Sequence, residues 1–256
     1  MSLFNKVFAS FGIGAAKVDT SLEKGVYEAG ETVNGVVSIV GGNIAQEIDS
    51  IYLSVNTTYI RESDDRKFTD TASIFKTRLN EPFMINENET KEIPFSFLLP
   101  YDTPLTYGNT RVWVSTGLDI KNAVDPTDKD YIEVKPNPLT EEILQSVQNI
   151  GFRIREVECE VAPSSLKGKY PFIQEFEFVP TSGEFRGKLD ELEISFLSQN
   201  ENSAELLMQV DRKARGIGGL LAEAFEMDES FIRVTVTSED MVSIEQKLLD
   251  VIQRFS

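Results

Sequence analysis

The chain has 256 residues, of which 41% are hydrophobic and 10% aromatic, so it can bury a core of ordinary size. Its formal net charge of −17 argues against binding to nucleic acids, because contact with their phosphates requires clustered Lys and Arg. The same negative charge disfavours an anionic membrane surface and favours basic protein partners.

Histidine is absent from the sequence, and cysteine occurs once, at Cys159. The commonest general base and metal ligand is therefore missing, together with every Ser-His or Cys-His dyad. One cysteine cannot form an internal disulfide or a cysteine-based zinc site. We expect a protein that is not an enzyme and has no metal and no cofactor. The single cysteine and the lack of a signal-peptide pattern predict a cytoplasmic location.

The first predicted element is a short amphipathic helix over residues 2–11, which Gly12 ends. Its apolar stripe includes Phe4, Phe8 and Phe11. Such a helix could dock on the protein's own β-sandwich, bind a partner, or lie on a membrane surface. We expect docking on the protein itself, because Lys6 is the only positive charge that the helix offers to an acidic membrane.

Short β-strands with frequent turn signals follow the helix, a pattern typical of an antiparallel β-sandwich. In the second of these strands, Ile51, Leu53 and Val55 alternate with polar or aromatic residues and predict one buried face. Lys135–Pro138 interrupts the pattern as a linker, so the first domain is predicted to span residues 1–135. The predicted strands lie at 33–40, 51–56, in two parts of 83–97, at 112–114 and at 131–134.

A second domain is predicted over residues 136–256, beginning with a linker helix that Thr140 caps and Gly151 ends. The β pattern then returns, and a C-terminal helix over 239–254 closes the chain. The apolar stripe of that helix could fill a partner's groove, but packing on its own domain or on a second copy of the chain is expected. The predicted strands of this half lie at 152–161, 174–179, 189–196, 205–210 and 231–237.

Four sequence segments resemble known proteins. Residues 26–37, with Gly30-Glu31-Thr32-Val33-Asn34-Gly35, resemble the opening strands of arrestin-like domains. The long run from Trp113 to Ile132 is similar to the signature of the bacterial sporulation-control protein family, the arrestin-like proteins of bacilli. Residues 150–159 and 210–220 agree with that family, and the resemblance covers essentially the whole chain.

The resemblance implies a mainly β fold of two tandem arrestin-like antiparallel β-sandwiches. It implies a regulatory role in endospore formation, exercised as a scaffold or adaptor that contacts other proteins. It supplies no catalytic residues, and it does not identify the partner. The alternative function is a membrane-associated structural protein, anchored by the N-terminal helix.

Four carboxylates between Asp119 and Asp130 raise the question of an ion site. Calcium favours clustered carboxylates, but the spacing does not fit an EF-hand loop, and the glycine of such a loop is absent. Residues 125–128 fit a turn or a cap. The third interpretation is an interdomain polar cluster like that of arrestins, in which acids pair with the basic run 212–215. The candidate residues are Asp119, Asp125, Asp128, Arg212 and Arg215.

Overall fold

The computed structural model describes residues 14–63, 66–121, 123–163, 166, 168–212 and 229–256. These residues form fourteen β-strands and two α-helices, and the sheets form a sandwich-like arrangement. The predicted mainly β fold, with a linker helix and a C-terminal helix, is therefore confirmed. The predicted N-terminal helix, with Phe4, Phe8 and Phe11, lies outside the described residues.

The strands of the first half are antiparallel to one another wherever a register is given. The last part of β4 also pairs with a strand of the second half, in parallel, at Ile60 and Glu160. Asn86-Glu87-Asn88 lies between β6 and β7, which correspond to the two strands predicted within 83–97. The strands are β1 (Lys17–Leu22), β2 (Val26–Glu28), β3 (Thr32–Val40), β4 (Gln46–Ser63), β5 (Arg66–Arg78), β6 (Phe83–Ile85), β7 (Thr90–Leu98), β8 (Val112–Ile120) and β9 (Thr127–Lys135).

The second half contains five strands between two helices. A short 3-10 turn, Ser238–Asp240, precedes the last helix. The elements are α1 (Pro138–Asn149), β10 (Phe152–Val161), β11 (Phe172–Pro180), β12 (Leu189–Gln199), β13 (Ser203–Arg212), β14 (Glu229–Thr237) and α2 (Ile244–Phe255).

The chain divides into two compact units, and each draws on separate segments. The first unit combines the described residues up to Thr57 with ranges 71–100 and 111–134. The second combines the described residues of 58–70, 101–110 and 135–256. The last residues of β4, the first residues of β5 and the segment 101–110 therefore belong to the same unit as the second half of the chain. The division into continuous domains 1–135 and 136–256 stays a prediction.

Two antiparallel sheets build the core of the first unit. One sheet has the order β1-β3-β7, and the other follows β2-β9-β8-β4, with β5 and β6 also paired to β4. Ile51, Leu53 and Val55 of β4 are fully buried, which confirms the alternation read from the sequence. Alternate residues of β3, Val33, Val37 and Ile39, are equally inaccessible. Burial of these branched side chains on facing strands supplies the main stabilisation of the unit.

The second unit is an antiparallel meander whose strands neighbour one another in chain order, from β10 to β14. Phe176 and Phe178 share the buried face of β11, and Leu206, Met208 and Val210 share that of β13. Helix α1 packs on β10, on β13 and on α2. The apolar face of the sheet therefore meets the apolar stripes of the helices.

The N-cap of helix α1 lies three residues before the predicted cap, Thr140. Asn137 is its N-cap, and the Asn137 side chain accepts a hydrogen bond from the Thr140 N–H at 3.0 Å. Pro138 occupies the first turn, where its missing N–H has no cost. Thr140 is buried, and its hydroxyl donates to Gln199 Oε1 at 2.6 Å. Thr140 is thus a helical residue held by β12, and its assignment as the cap was wrong.

The predicted C-terminal helix over 239–254 is also corrected at its start. Residues 238–240 form a 3-10 turn in which the Thr237 N–H donates to Asp240 Oδ2 at 2.8 Å. The α-helix starts at Ile244, and its buried residues are Ile244, Leu248 and Ile252. Helix α2 contacts α1 within the same unit, in agreement with the expected packing on its own domain.

Candidate functional site

The three predicted acidic residues of the polar cluster make contacts within the first unit. Asp119 is exposed on β8 and lies opposite Ser50 of β4. Asp125 Oδ1 accepts a hydrogen bond from the Ile120 N–H at 3.0 Å, which is the local turn contact anticipated for residues 125–128. Asp128 Oδ2 accepts from the Thr20 N–H of β1 at 2.7 Å. Asp125 and Asp128 therefore each have a structural role in stabilising a turn or joining two strands.

The predicted basic residues of the same cluster lie in or beyond β13. Arg212 is the last residue of that strand and is exposed, whereas Arg215 lies outside the described residues. The proposed pairing of these residues with Asp119, Asp125 and Asp128 stays a prediction. Across the described parts of the chain, no group of three or more His, Cys, Asp or Glu is arranged to hold a metal ion.

Asp130 is the most perturbed carboxyl of the first unit. Burial, together with the nearby Asp128 and Asp19 carboxylates, raises the pKa of Asp130 to about 6. Its Oδ2 atom is buried and has no hydrogen-bond partner. Beside Asp128, the Thr20 and Thr116 hydroxyls share a buried hydrogen bond of 2.6 Å. The arrangement therefore disfavours the ionised form of Asp130.

Cys159 lies on the buried face of β10, where the sequence predicted a small packing residue. Burial raises the pKa of the Cys159 thiol to about 12, and its neighbours Glu158 and Glu160 act in the same direction. The thiol is therefore protonated at neutral pH and a poor nucleophile.

A cavity of about 310 Å³ opens in the second unit between the ends of β11 and β12. The hydrogen-bonded ladder between these strands runs from Phe178–Leu192 to Glu175–Ser195. Beyond that pair, residues 172–174 of β11 and 196–199 of β12 line the cavity. The segment 102–105 lines it as well. Because the volume is at the lower limit for ligand pockets, about 300 Å³, the cavity can accept side chains or a small molecule.

Side chains hold the segment 102–105 in the cavity wall. Gln174 Oε1 accepts from the Leu105 N–H at 2.8 Å, and Gln174 Nε2 donates to the Leu105 carbonyl at 2.7 Å. Asp102 Oδ1 accepts from the Gln199 N–H of β12 at 2.7 Å. The backbone groups of Leu105 and Gln199 therefore bond to the side chains of Gln174 and Asp102, and not to a neighbouring strand.

The rim of the cavity combines aromatic and charged groups. Arg233 Nη1 lies 2.9 Å from Glu205 Oε1, and Lys169 Nζ lies 3.7 Å from Asp102 Oδ2. Lys169 also lies 4.9 Å from the centre of the Tyr170 ring. The rim therefore presents both signs of charge beside an apolar floor that includes Phe172 and Phe196.

An acidic face extends from the cavity across β10, β11 and β12. Directly opposed pairs are Glu158–Glu175, Glu156–Glu177 and Glu177–Glu193. Arg155 forms ion pairs with Glu177 and Glu191. Burial, reinforced by Glu160, Glu191 and Glu158, raises the pKa of Glu175 to about 7. Like charges directly opposed on a sheet destabilise it, so this face has a physical reason to attract cations.

Sequence reasoning did not find the cavity or the acidic face. The alternating Glu158, Glu160, Glu175 and Glu177 gave a signal, because residues two apart on a strand share a face. The cavity had no such signal, since it depends on where the β11–β12 ladder ends.

No helix within the described ranges combines the length and the apolar character needed to cross a bilayer.

Comparison with known proteins gives a consistent result at three levels. The sequence profile of the SpoOM protein family matches residues 4–214. The sporulation-control protein Spo0M of Bacillus subtilis (strain 168) is 44% identical over 259 residues, which span 100% of both chains. The crystal structure of Spo0M from Bacillus subtilis matches with a TM-score of 0.84 and 43% identity, over 95% of this chain and 100% of that one.

Proposed function

Because the chain belongs to the SpoOM protein family, we propose that it controls sporulation as a cytoplasmic, non-enzymatic adaptor acting through contacts with other proteins. The observation that carries the regulatory role is the 44% identity, over the full length of both chains, to a protein named for sporulation control. A match that includes every element of the fold supports a shared role better than a match to one motif.

The adaptor part of the proposal is supported by surface chemistry. The cavity between β11 and β12 is bordered by ion pairs, and an acidic face lies beside it. Such a surface suits recognition, because paired charges and aromatic groups provide specificity for a partner. The absence of histidine from the whole sequence supports a non-enzymatic role, since it removes the residue most used for proton transfer at neutral pH.

A complementation experiment tests the regulatory role. The gene for this chain replaces that of Spo0M in Bacillus subtilis, and heat-resistant spores are counted against the parent strain and a deletion strain. We expect spore counts and their timing to follow the parent. Counts equal to those of the deletion strain, with the protein present at normal abundance, would refute the proposal.

A second experiment tests the adaptor mechanism. The tagged full chain is crosslinked in starving cells, and retained proteins are identified by mass spectrometry against an equally abundant, unrelated acidic protein. We expect a small set of specific partners. Flotation with liposomes, for the wild type and for a Phe4→Ser/Phe8→Ser variant, tests the membrane-anchored alternative. Flotation that depends on these two residues, without specific protein partners, would favour that alternative.

A further inference from the structure

We infer that the cavity between β11 and β12 is a docking cleft for an extended, basic segment of a partner protein. The inference rests on the proposed adaptor function and specifies its partner chemistry. The partner segment pairs its backbone with the open strand edges, places apolar side chains in the cavity, and sets Lys or Arg over the acidic face.

The first argument is the geometry of the two strands. Residues 172–174 of β11 pair with β10, and residues 196, 198 and 199 of β12 pair with β13. The ladder that joins β11 to β12 ends at Glu175–Ser195. Each strand therefore continues beyond the junction with one edge paired and one edge facing the cavity. Open strand edges are templates for a further strand.

The second argument is the chemistry of the groups on those edges. The Asn200 N–H donates to the Ser203 carbonyl of β13 at 2.9 Å, so the preceding Gln199 N–H points to the opposite edge. There it donates to the Asp102 carboxylate. The Gln174 amide likewise contacts both the N–H and the carbonyl of Leu105. The Asp102 carboxylate thus occupies a position that a neighbouring strand would take, and a partner backbone can replace it.

The third argument selects the charge of the occupant. Glu175 is the last paired residue of β11, directly beside Gln174 of the cavity wall. Glu158 lies opposite it, and Glu160 and Glu191 also act on its carboxyl. Cationic side chains would relieve this repulsion, whereas an acidic segment would increase it. The net charge of −17 steers a basic partner in the same direction.

The size of the cleft limits the occupant to a short contact. Residues 172–174 and 196–199 give an edge of about 10 Å, at about 3.3 Å per residue, which suits about three residues of extended chain. Alternate residues of such a segment face opposite sides. An alternation of apolar and basic residues therefore matches both the cavity and the acidic face.

The test uses a fluorescein-labelled decapeptide of alternating Lys and Val with blocked termini, titrated into the full chain. Controls are decapeptides of alternating Lys and Gly, which have the same charge, and of alternating Glu and Val. We expect the Lys-Val peptide to bind at least about tenfold more tightly than either control in 0.1 M salt. Equal binding of the two Lys peptides would mean attraction to net charge alone and would overturn the inference.

Position is tested by variants and by hydrogen exchange. Glu175→Gln should weaken binding about threefold and abolish its increase between pH 6 and pH 8, because a bound cation stabilises the ionised carboxylate. Leu197→Lys should prevent binding, and Glu133→Gln of β9 should have no effect. In the wild type, the peptide should protect backbone amides at 172–175 and 196–199. Protection of other amides instead would overturn the inference. Because this measurement uses the wild type, it does not depend on whether the variants fold.

Two further outcomes separate this inference from the adaptor proposal. Specific partners in the crosslinking experiment that are retained equally by Glu175→Gln would support the adaptor and overturn the cleft. Protection of 172–175 and 196–199 by increasing concentrations of the chain itself would identify a second copy as the occupant and would also overturn it. Failure of both the complementation and the crosslinking experiments would refute the proposed adaptor function. The peptide titration would still show whether the cleft binds a basic extended segment.

Discussion

Asp130 shows how a single side chain can depend on its neighbours more than on its own type. It lies on β9 with one buried carboxyl oxygen that has no hydrogen bond, near Asp128 and Asp19. Burial and the two neighbouring charges all disfavour ionisation, which raises the pKa of Asp130 to about 6. The folded protein therefore binds this proton more tightly than the unfolded chain does. Ionisation of Asp130 at neutral pH reduces the stability of the fold.

Asp130→Asn should stabilise the protein at pH 7.5 by about 1 kcal/mol, allowing for solvent screening of a half-buried group. The gain should be lost as the pH falls through 6 towards 4, because the wild-type carboxyl then becomes neutral as well. Urea unfolding at several pH values measures the difference. A gain that persists at pH 4 would contradict the explanation.

Gly35 marks a close approach of two strands within the first sheet. A Cβ atom at this position would lie 2.5 Å from Phe95 Cζ and 2.7 Å from the Ser21 carbonyl oxygen. Gly35 pairs with Leu22 on one side and Phe95 on the other. The second glycine of the Gly30–Gly35 motif is therefore required by packing, because a larger residue would collide with Phe95 and the β1 backbone.

Gly35→Ala should destabilise the fold by about 1–3 kcal/mol, because Phe95 and the β1 backbone must move to admit the methyl group. Gly25→Ala is the matched control, since a Cβ there meets nothing within 4 Å. Thermal unfolding of both variants provides the comparison. Equal stability of the two would show that the sheet adjusts without cost.

At the level of elements, the first residues of helix α1 attach the helix to the sheet of the second unit. Asn137 caps the helix, Pro138 follows, and the hydroxyl of Thr140 reaches Gln199 of β12. At the other end, Gly151 has φ +115°, and a Cβ there would lie 2.7 Å from the Ser182 carbonyl oxygen. Both ends of the helix are thus fixed by residues with a specific conformational role.

Asn137→Ala should lower the free energy of unfolding by about 1 kcal/mol, because the Thr140 N–H loses its acceptor at a buried helix end. Asn137→Ser should retain most of the stability, since serine is also a good N-cap. Urea unfolding at pH 7 distinguishes the two variants. Equal losses for alanine and serine would show that the side-chain cap is not the cause.

At the level of the whole molecule, an excess of acidic groups controls the response to pH and salt. The pKa values of Asp130 and Glu175 are raised, to about 6 and about 7, so their ionisation weakens the fold. The pKa values of Glu31, Glu89 and Asp240 are lowered, chiefly by hydrogen bonds from Lys24, the Asn86 N–H and Lys247. Their ionisation strengthens the fold.

Stability should therefore be greatest at about pH 4 to 5 and should fall as the pH rises to about 7, because the unfolded chain ionises these two carboxyls near their ordinary pKa values of 3.8 and 4.5, before the folded protein does. It should also fall below about pH 4, where the three hydrogen-bonded carboxylates become protonated. At pH 8, raising the salt concentration from 0.05 to 0.5 M should stabilise the chain by screening repulsion. Urea midpoints across this range provide the measurement. A midpoint that rises steadily from pH 5 to pH 7 would contradict the account.

The sequence determined the mainly β fold, because alternation along β3, β4, β11 and β13 identifies the buried face of each strand. Strand β5 gave a weaker signal, since only Ala72 and Ile74 of this strand are buried. Sequence resemblance anticipated the family, but it led to a polar cluster of Asp119, Asp125, Asp128, Arg212 and Arg215 that stays a prediction.

The tertiary structure alone decided where the candidate cleft lies. Gln174 and Leu105 are far apart in the sequence, and no local pattern predicts that an amide side chain would satisfy a distant backbone. Nor does a pattern show that the β11–β12 ladder stops at Glu175–Ser195. Alternation within a strand reports which face is buried, whereas the end of a ladder depends on the register and divergence of two strands in space.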